Sequence, residues 1–143
     1  MSTRAQIAFY QSEHDPIDMN GTVYIYQHSD GHPDGILPVL EPFARSFKAH
    51  RGRKDTPYAT ARCVVALATV QDAEEAGYLG LGAGTTLYPT IAFFYHVSPT
   101  RIGVYAVSDA SGPTPDFRLV SAVPLALPAV PQPQGQTIPG EGR

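Results

Sequence analysis

Between Thr22 and Gly35 the chain passes from the side-chain period of a strand to that of a helix through a short polar corner, and this restricts the folds open to it. Val23, Ile25 and Gln27 alternate with Tyr24, Tyr26 and His28, the period-two pattern of a β-strand. His28 therefore leaves on the tyrosine face. Asp30-Gly31 and Asp34-Gly35 are turn dipeptides, Pro33 fixes one φ between them, and the Asp34 carboxylate is suited to accept from the first free N–H groups of a following helix. A corner of this kind can hold an anion or a metal, and it can equally be a well-made turn.

The flanking chain reads in the same terms. Ile7 and Phe9 alternate in a first strand over Ala5 to Tyr10, and an acidic stretch with Glu13, Asp15 and Asp18 leads to the turn pair Asn20-Gly21. These two strands are expected to pair as a hairpin with a long loop. After the corner, Leu37, Leu40, Ala44 and Phe47 recur at helical spacing, so Ile36 to His50 reads as a helix; Pro38 suits its first turn, whereas Pro42 is expected to kink it or force a restart. Thr56-Pro57 opens a second helix with the stripe Ala59, Cys63, Ala66, Val70 and Ala73, and Gly77 is a natural stop. The glycines of Gly77 to Gly84 superficially suggest a nucleotide loop, but they follow a helix and lead into a strand, the reverse of the order such a loop needs. A flexible connector is the expectation there. Leu87 to Val97 reads as a central strand, and Ile102 to Val107 as its hairpin partner.

From Ser108 the character changes, because Pro113, Pro115, Pro124, Pro128, Pro131, Pro133 and Pro139 are half of the chain's 14 prolines. The expected organisation is one α+β domain over residues 1–110, an antiparallel sheet in ββααβββ order with two helices packed on one face, followed by a Pro-rich tail over 111–143. Within that tail Phe117, Leu119, Val120 and Val123 are able to dock as an edge strand.

Composition narrows the function classes. A length of 143 residues with 43% hydrophobic content is enough for one core, and a formal charge of −3 is too small for a general nucleic-acid or membrane binder. No stretch approaches the ~18 consecutive apolar residues of a membrane span, which points to a cytoplasmic protein. The single Cys63 leaves neither an intramolecular disulfide nor a cysteine-based zinc cluster, and reads as a small buried helix residue.

Charge is segregated along the chain. Glu13, Asp15, Asp18, Asp30, Asp34 and Glu41 precede a run free of acids that holds Arg45, Lys48, His50, Arg51, Arg53 and Lys54. Some of these cations complement the carbonyl end of a helix, and the excess points to an anionic partner, for which the forked guanidinium groups of Arg51 and Arg53 are suited to phosphate. His28, Asp30 and His32 carry metal-ligand types at alternate positions, but Gly31 and Pro33 bend the chain between them, so no metal is expected. No catalytic triad can be assembled from one cysteine and scattered serines, and no cofactor is implied. Tyrosines are numerous for a chain without tryptophan, and Tyr24 or Tyr26 could stack on a base.

Tyr26, His28, Asp30, Gly31, Pro33, Asp34 and Gly35 also carry a resemblance. The stretch resembles a family of small, largely uncharacterised phage and prophage proteins marked by an aromatic-x-His-x-Asp-Gly-Tyr-Pro-acid-Gly signature, from which His32 departs where an aromatic is usual. Ile91 to Val97 resembles the family's later aromatic strand. The resemblance implies phage origin, hence the host cytoplasm, and no particular activity. The expected function is binding rather than catalysis: a small phosphorylated, nucleotide-like ligand, such as a host-defence signal, held by Tyr24, Tyr26, His28, Asp30, Arg51 and Arg53. Two readings compete, a protein inhibitor of a host enzyme and a metal-dependent hydrolase using His28, Asp30 and His32, and self-association stays open.

Overall fold

The Tyr24–His28 alternation is realised as a short strand whose chain then turns at once into a helix, and the rest of the sheet is assembled around that pair. The computed structural model describes residues 3–51, 55–70, 80–88, 90–108 and 116–125, with side chains in the first stretch described through Ser46. In order they form β1 (Ala5–Phe9), β2 (Tyr24–Gln27), α1 (Pro33–Arg51), α2 (Thr56–Thr69), β3 (Leu81–Gly84), β4 (Phe93–Val97), β5 (Arg101–Ser108) and β6 (Asp116–Pro124). The strands make one sheet in the order β3-β2-β1-β4-β5-β6. The α+β class stands.

The sheet is mixed, not antiparallel throughout, because β1 and β4 run parallel at its centre, with Ala5 opposite Phe93 and Phe9 opposite Val97. Parallel neighbours need a long crossover. The return leg of that crossover includes residues 85–88, which follow β3, and 90–91, which lead to Ala92, whose N–H donates to the Arg4 carbonyl beside the start of β1. The strand expected from Leu87 therefore begins only at Phe93, and Ile91 joins the cluster on the face opposite the helices.

Two further differences have local causes. The glycine-rich connector contains β3, which pairs antiparallel with β2 from Leu81 opposite Gln27 to Gly84 opposite Tyr24. Backbone pairing needs no side chains, and the exposed edge of β2 supplies the partner that overrides glycine's poor strand propensity. Beyond residue 115, β6 pairs antiparallel with β5, with one register shift between Val104 and Tyr105 where Val120 is the extra residue. This is the edge strand anticipated for that stretch, and it lies past residue 110.

Both helices cover one face. Ile36, Leu40 and Ala44 of α1 and Cys63 and Leu67 of α2 share a core with Ile7, Ile25, Tyr95, Ile102 and Val104. Ile36 and Leu40 are fully buried, each contributing roughly 1.5–3 kcal/mol. α1 runs unbroken through Pro38 and Pro42, both of which face solvent, so the helix carbonyls that lose an N–H partner point outward. α2 is capped by Asp55, whose carboxylate accepts from the Tyr58 N–H at 3.3 Å, and it stops at Thr69; Ala73 and Gly77 lie outside the described residues.

The corner between β2 and α1 is built on close approach. α1 starts at Pro33, with the His32 carbonyl accepting from Gly35 and Ile36, so Asp34 stands inside the first turn instead of capping it. Gly31 donates to the Thr3 carbonyl at 2.9 Å, and its own carbonyl accepts from the buried Tyr95 hydroxyl at 2.6 Å. A Cβ on Gly31 would lie 2.7 Å from the Thr3 carbonyl oxygen, and one on Gly35 would lie 2.5 Å from that of Asp30. Asp30 itself takes a left-handed φ of 59°.

Gly31→Ala and Gly35→Ala are therefore each expected to lower stability by about 1–3 kcal/mol in urea titrations, since the clash at both is with backbone. At Gly35 the steric term must also exceed a helix-propensity gain of ~0.5–1 kcal/mol. An unchanged midpoint in either variant would contradict this account of the corner.

Candidate functional site

On the face away from the helices, β2 presents Tyr24 and Tyr26, and the opposing positions on β3 are Gly84 and Gly82. A Cβ added at either glycine would meet nothing within 4 Å, and neither glycine has a left-handed φ. Nothing in the backbone requires glycine there. What its absence of a side chain produces is space, a cleft of about 390 Å³ floored by Gly82, Ala83 and Gly84 and walled by Tyr24, Tyr26, Thr86, Tyr88 and Thr90, with Gln6 at its base.

The far wall is held in place by one buried amide. Gln6 is 1% exposed, its Nε2 donates to the Thr86 carbonyl at 2.8 Å, and its Oε1 accepts from the Tyr88 N–H at 2.9 Å. Both halves of the side chain thus fasten the returning segment over β1. Tyr88 meets Tyr26 edge to face, with centroids 5.6 Å apart, and the Tyr26 hydroxyl lies 3.1 Å from Nδ1 of His28. Tyr88 remains well exposed at the rim.

The near wall depends on the loop before β2. The hydroxyls of Tyr10 and Tyr24 both donate to the Ile17 carbonyl, at 2.7 and 2.9 Å, and burial raises the pKa of each phenol, keeping it a neutral donor. Buried His96 stacks on Tyr10 with centroids 3.9 Å apart, and its Nε2–H donates to the Asp15 carbonyl at 2.8 Å. Thr100 hydrogen-bonds the Glu13 carboxylate, which lowers that group's pKa. The acidic loop is thereby pinned against the strands that carry Tyr24.

Of the residues expected to form a site, Tyr24 and Tyr26 line the cleft and His28 contacts Tyr26 beside it. Asp30 is exposed at the corner, outside the lining. Arg51 closes α1 on the opposite face of the sheet, and Arg45 in the same half of that helix donates to the Pro124 carbonyl at the end of β6, the edge farthest from β3. The Arg51 backbone and the Arg45 side chain therefore lie on the other side of the sheet from Tyr24 and Tyr26. The Arg51 side chain and the whole of Arg53, like Lys54, lie outside the described residues.

His28, Asp30 and His32 are likewise drawn apart. His32 turns to the Thr3 hydroxyl at 2.7 Å and packs near Phe93, while His28 goes to Tyr26. Among the described residues no three His, Cys, Asp or Glu side chains are grouped to hold a metal. The buried Cys63 thiol, its pKa pushed up to about 12 by desolvation, is a core residue. Gln6, Thr86, Tyr88 and Thr90 are marked by no sequence motif, and Gly82 and Gly84 fall in the glycine run read as a flexible connector. The signal for two of them was present, since the two glycines alternate with Leu81 and Ala83 at strand spacing.

The chain matches no protein-family model, no curated protein and no solved structure. Among the described residues no helix is long and apolar enough to cross a membrane.

Burial lowers the pKa of His96, so the unfolded chain takes up its proton first as the pH falls. The stability held by the neutral ring is complete above about pH 6.5 and is lost as the pH drops below that value toward the depressed folded pKa. Urea midpoints measured on either side of that value should fall on the acid side in the wild type, with a smaller fall in His96→Gln, which keeps a donor for Asp15 but does not titrate. Equal acid losses in both proteins would assign the effect elsewhere.

Proposed function

We propose that the protein binds a ligand carrying a flat ring and does not transform it, with the ring lying on the bare backbone of Gly82 and Gly84 against the wall made by Tyr26 and Tyr88. The observation that carries the reading is the glycine floor: two positions free to hold a side chain hold none, beneath a tyrosine wall. A volume of about 390 Å³ falls within the range of small-molecule sites, roughly 300–1,000 Å³. Ring stacking on an aromatic contributes about 1–3 kcal/mol per base and suits any nucleobase.

The described lining has no Asp, Glu, His, Cys, Lys or Arg, which favours binding over acid–base or nucleophilic chemistry. It also leaves a phosphate without a charged partner in the cleft. We therefore favour a nucleotide-like ligand recognised through its base, with sugar and phosphate toward solvent. In the phage setting suggested by the signature around His28, such binding would withdraw a nucleotide signal from the host.

Calorimetry with the four common ribonucleosides and their 5′-monophosphates tests this. A nucleoside and its phosphate should bind with similar affinity, and Gly82→Leu, which sends a side chain into open space, should weaken binding by about tenfold or more, equivalent to 1.4 kcal/mol, at an unchanged melting temperature. Arg51→Ala with Arg53→Ala should leave binding intact. Flat traces throughout, or full binding by Gly82→Leu, would overturn the reading.

A further inference from the structure

The strand that floors the cleft is also an edge of the sheet, and among the described residues nothing pairs with its outer side. His28 donates to the Gly80 carbonyl at 2.8 Å, so by the alternation of an antiparallel ladder Gly82 and Gly84 also turn their N–H and C=O groups toward β2. Leu81 and Ala83 turn theirs outward, where no partner occurs among the described residues. Gly82, Ala83 and Gly84 are exposed.

The two edges of the sheet are treated differently. β6 carries the devices that discourage strand pairing, a bulge at Val120 and the charged residues Asp116 and Arg118. β3, Leu-Gly-Ala-Gly, has no charge, no proline and no bulge. Alongside it lie two clefts on opposite faces. The tyrosine cleft is on one, and on the other a cleft of about 320 Å³ is bounded by Phe9, Val23, Pro57, Thr60 and Val64; Ala83 borders both.

We propose that β3 accepts an added strand, a short uncharged segment of another polypeptide that extends the sheet and places alternate side chains in the two clefts. The proposal rests on the reading of the tyrosine cleft as a ring site and gives that site a second occupant, an aromatic side chain that competes with the base. Strand addition satisfies the outward groups of Leu81 and Ala83, and its period of two matches clefts on opposite faces. A residue opposite Gly82 reaches inward over the missing side chain toward Tyr26, the arrangement in which an aromatic covers a strand glycine. Its neighbour opposite Ala83 reaches across a single methyl group toward Val23 and Val64.

Charge selects the same occupant, since neither described lining holds an ionised side chain and a charged segment would lose hydration without gaining a partner. A second copy of this strand fits less well. Antiparallel self-pairing centred on Gly82 would set glycine against glycine and leave the tyrosine cleft empty.

Selection from a random peptide library displayed on ribosomes, with the full chain as bait, provides the probe. The expected peptides are uncharged and free of proline, with a ring at alternate positions, and they bind Ala83→Pro and Ala83→Lys at least about tenfold more weakly than wild type. N-methylation of the peptide amides that face β3 should abolish binding, while methylation of the intervening amides should not; this readout does not depend on the folding of any variant. Loss of binding in Gly82→Leu but not in either Ala83 variant would overturn strand addition and leave the ring site standing. Loss in the Ala83 variants but not in Gly82→Leu would support strand addition and remove the ring site. Enrichment of no peptide, or a sedimenting dimer that Ala83→Pro dissociates, would overturn the proposal, the latter in favour of a second copy.

Discussion

The hydrogen bond from the Tyr95 hydroxyl to the Gly31 carbonyl ties the strand–helix corner to the middle of the sheet. Tyr95 is fully buried on β4, and Gly31 is held from its other side by the Thr3 carbonyl ahead of β1. Three segments far apart in sequence thus converge on one residue. Removing the hydroxyl would leave a buried carbonyl short of a partner, a cost of about 1–3 kcal/mol. The position of that residue decides where α1 begins, and the start of α1 decides which residues form the stripe of Ile36, Leu40 and Ala44 over the sheet. Displacing it by even one residue would rotate that stripe by about 100° off the core.

With one face closed by helices, the other is closed by chain that is neither helix nor strand. The acidic loop and the returning residues 85–88 each need satisfied polar groups to lie on an apolar surface. Gln6 serves one and Tyr10, Tyr24 and His96 serve the other, which accounts for polar side chains buried at alternate positions of β1, β2 and β4. The cleft is the gap these coverings leave at the β3 margin.

Much of the fold was legible because it rests on side-chain period. The faces of β1, β2, β4 and β5 follow the alternation in the sequence, and the burial of Ala59 and Cys63 follows the helical stripe, with Leu67 completing it. What escaped depends on pairing. The alternation of Leu81 to Gly84 is too short and too rich in glycine to announce a strand until β2 is seen to lack a neighbour, and β1 gives no local sign that its other partner runs parallel. Half of the site was visible in Tyr24 and Tyr26. The other half was not, because Gln6 and Tyr88 meet only through a crossover whose path the period cannot specify, and the two glycines act through what they omit. Of the conspicuous arginine cluster, Arg45 and Arg51 belong to α1, whose face only the fold could assign.

The parallel pairing of β1 with β4 also bears on how the chain acquires its structure. Residue 5 must wait for residue 93 before the central ladder can close, and until then β1 holds only its antiparallel neighbour β2. On the ribosome both helices are made before the strand that anchors their corner, so Ile36 and Leu40 emerge without the Tyr95 surface they pack on. Such long-range closure slows folding and lengthens the exposure of apolar surface. The chain should accordingly commit late in synthesis, in one step that begins when β4 is released.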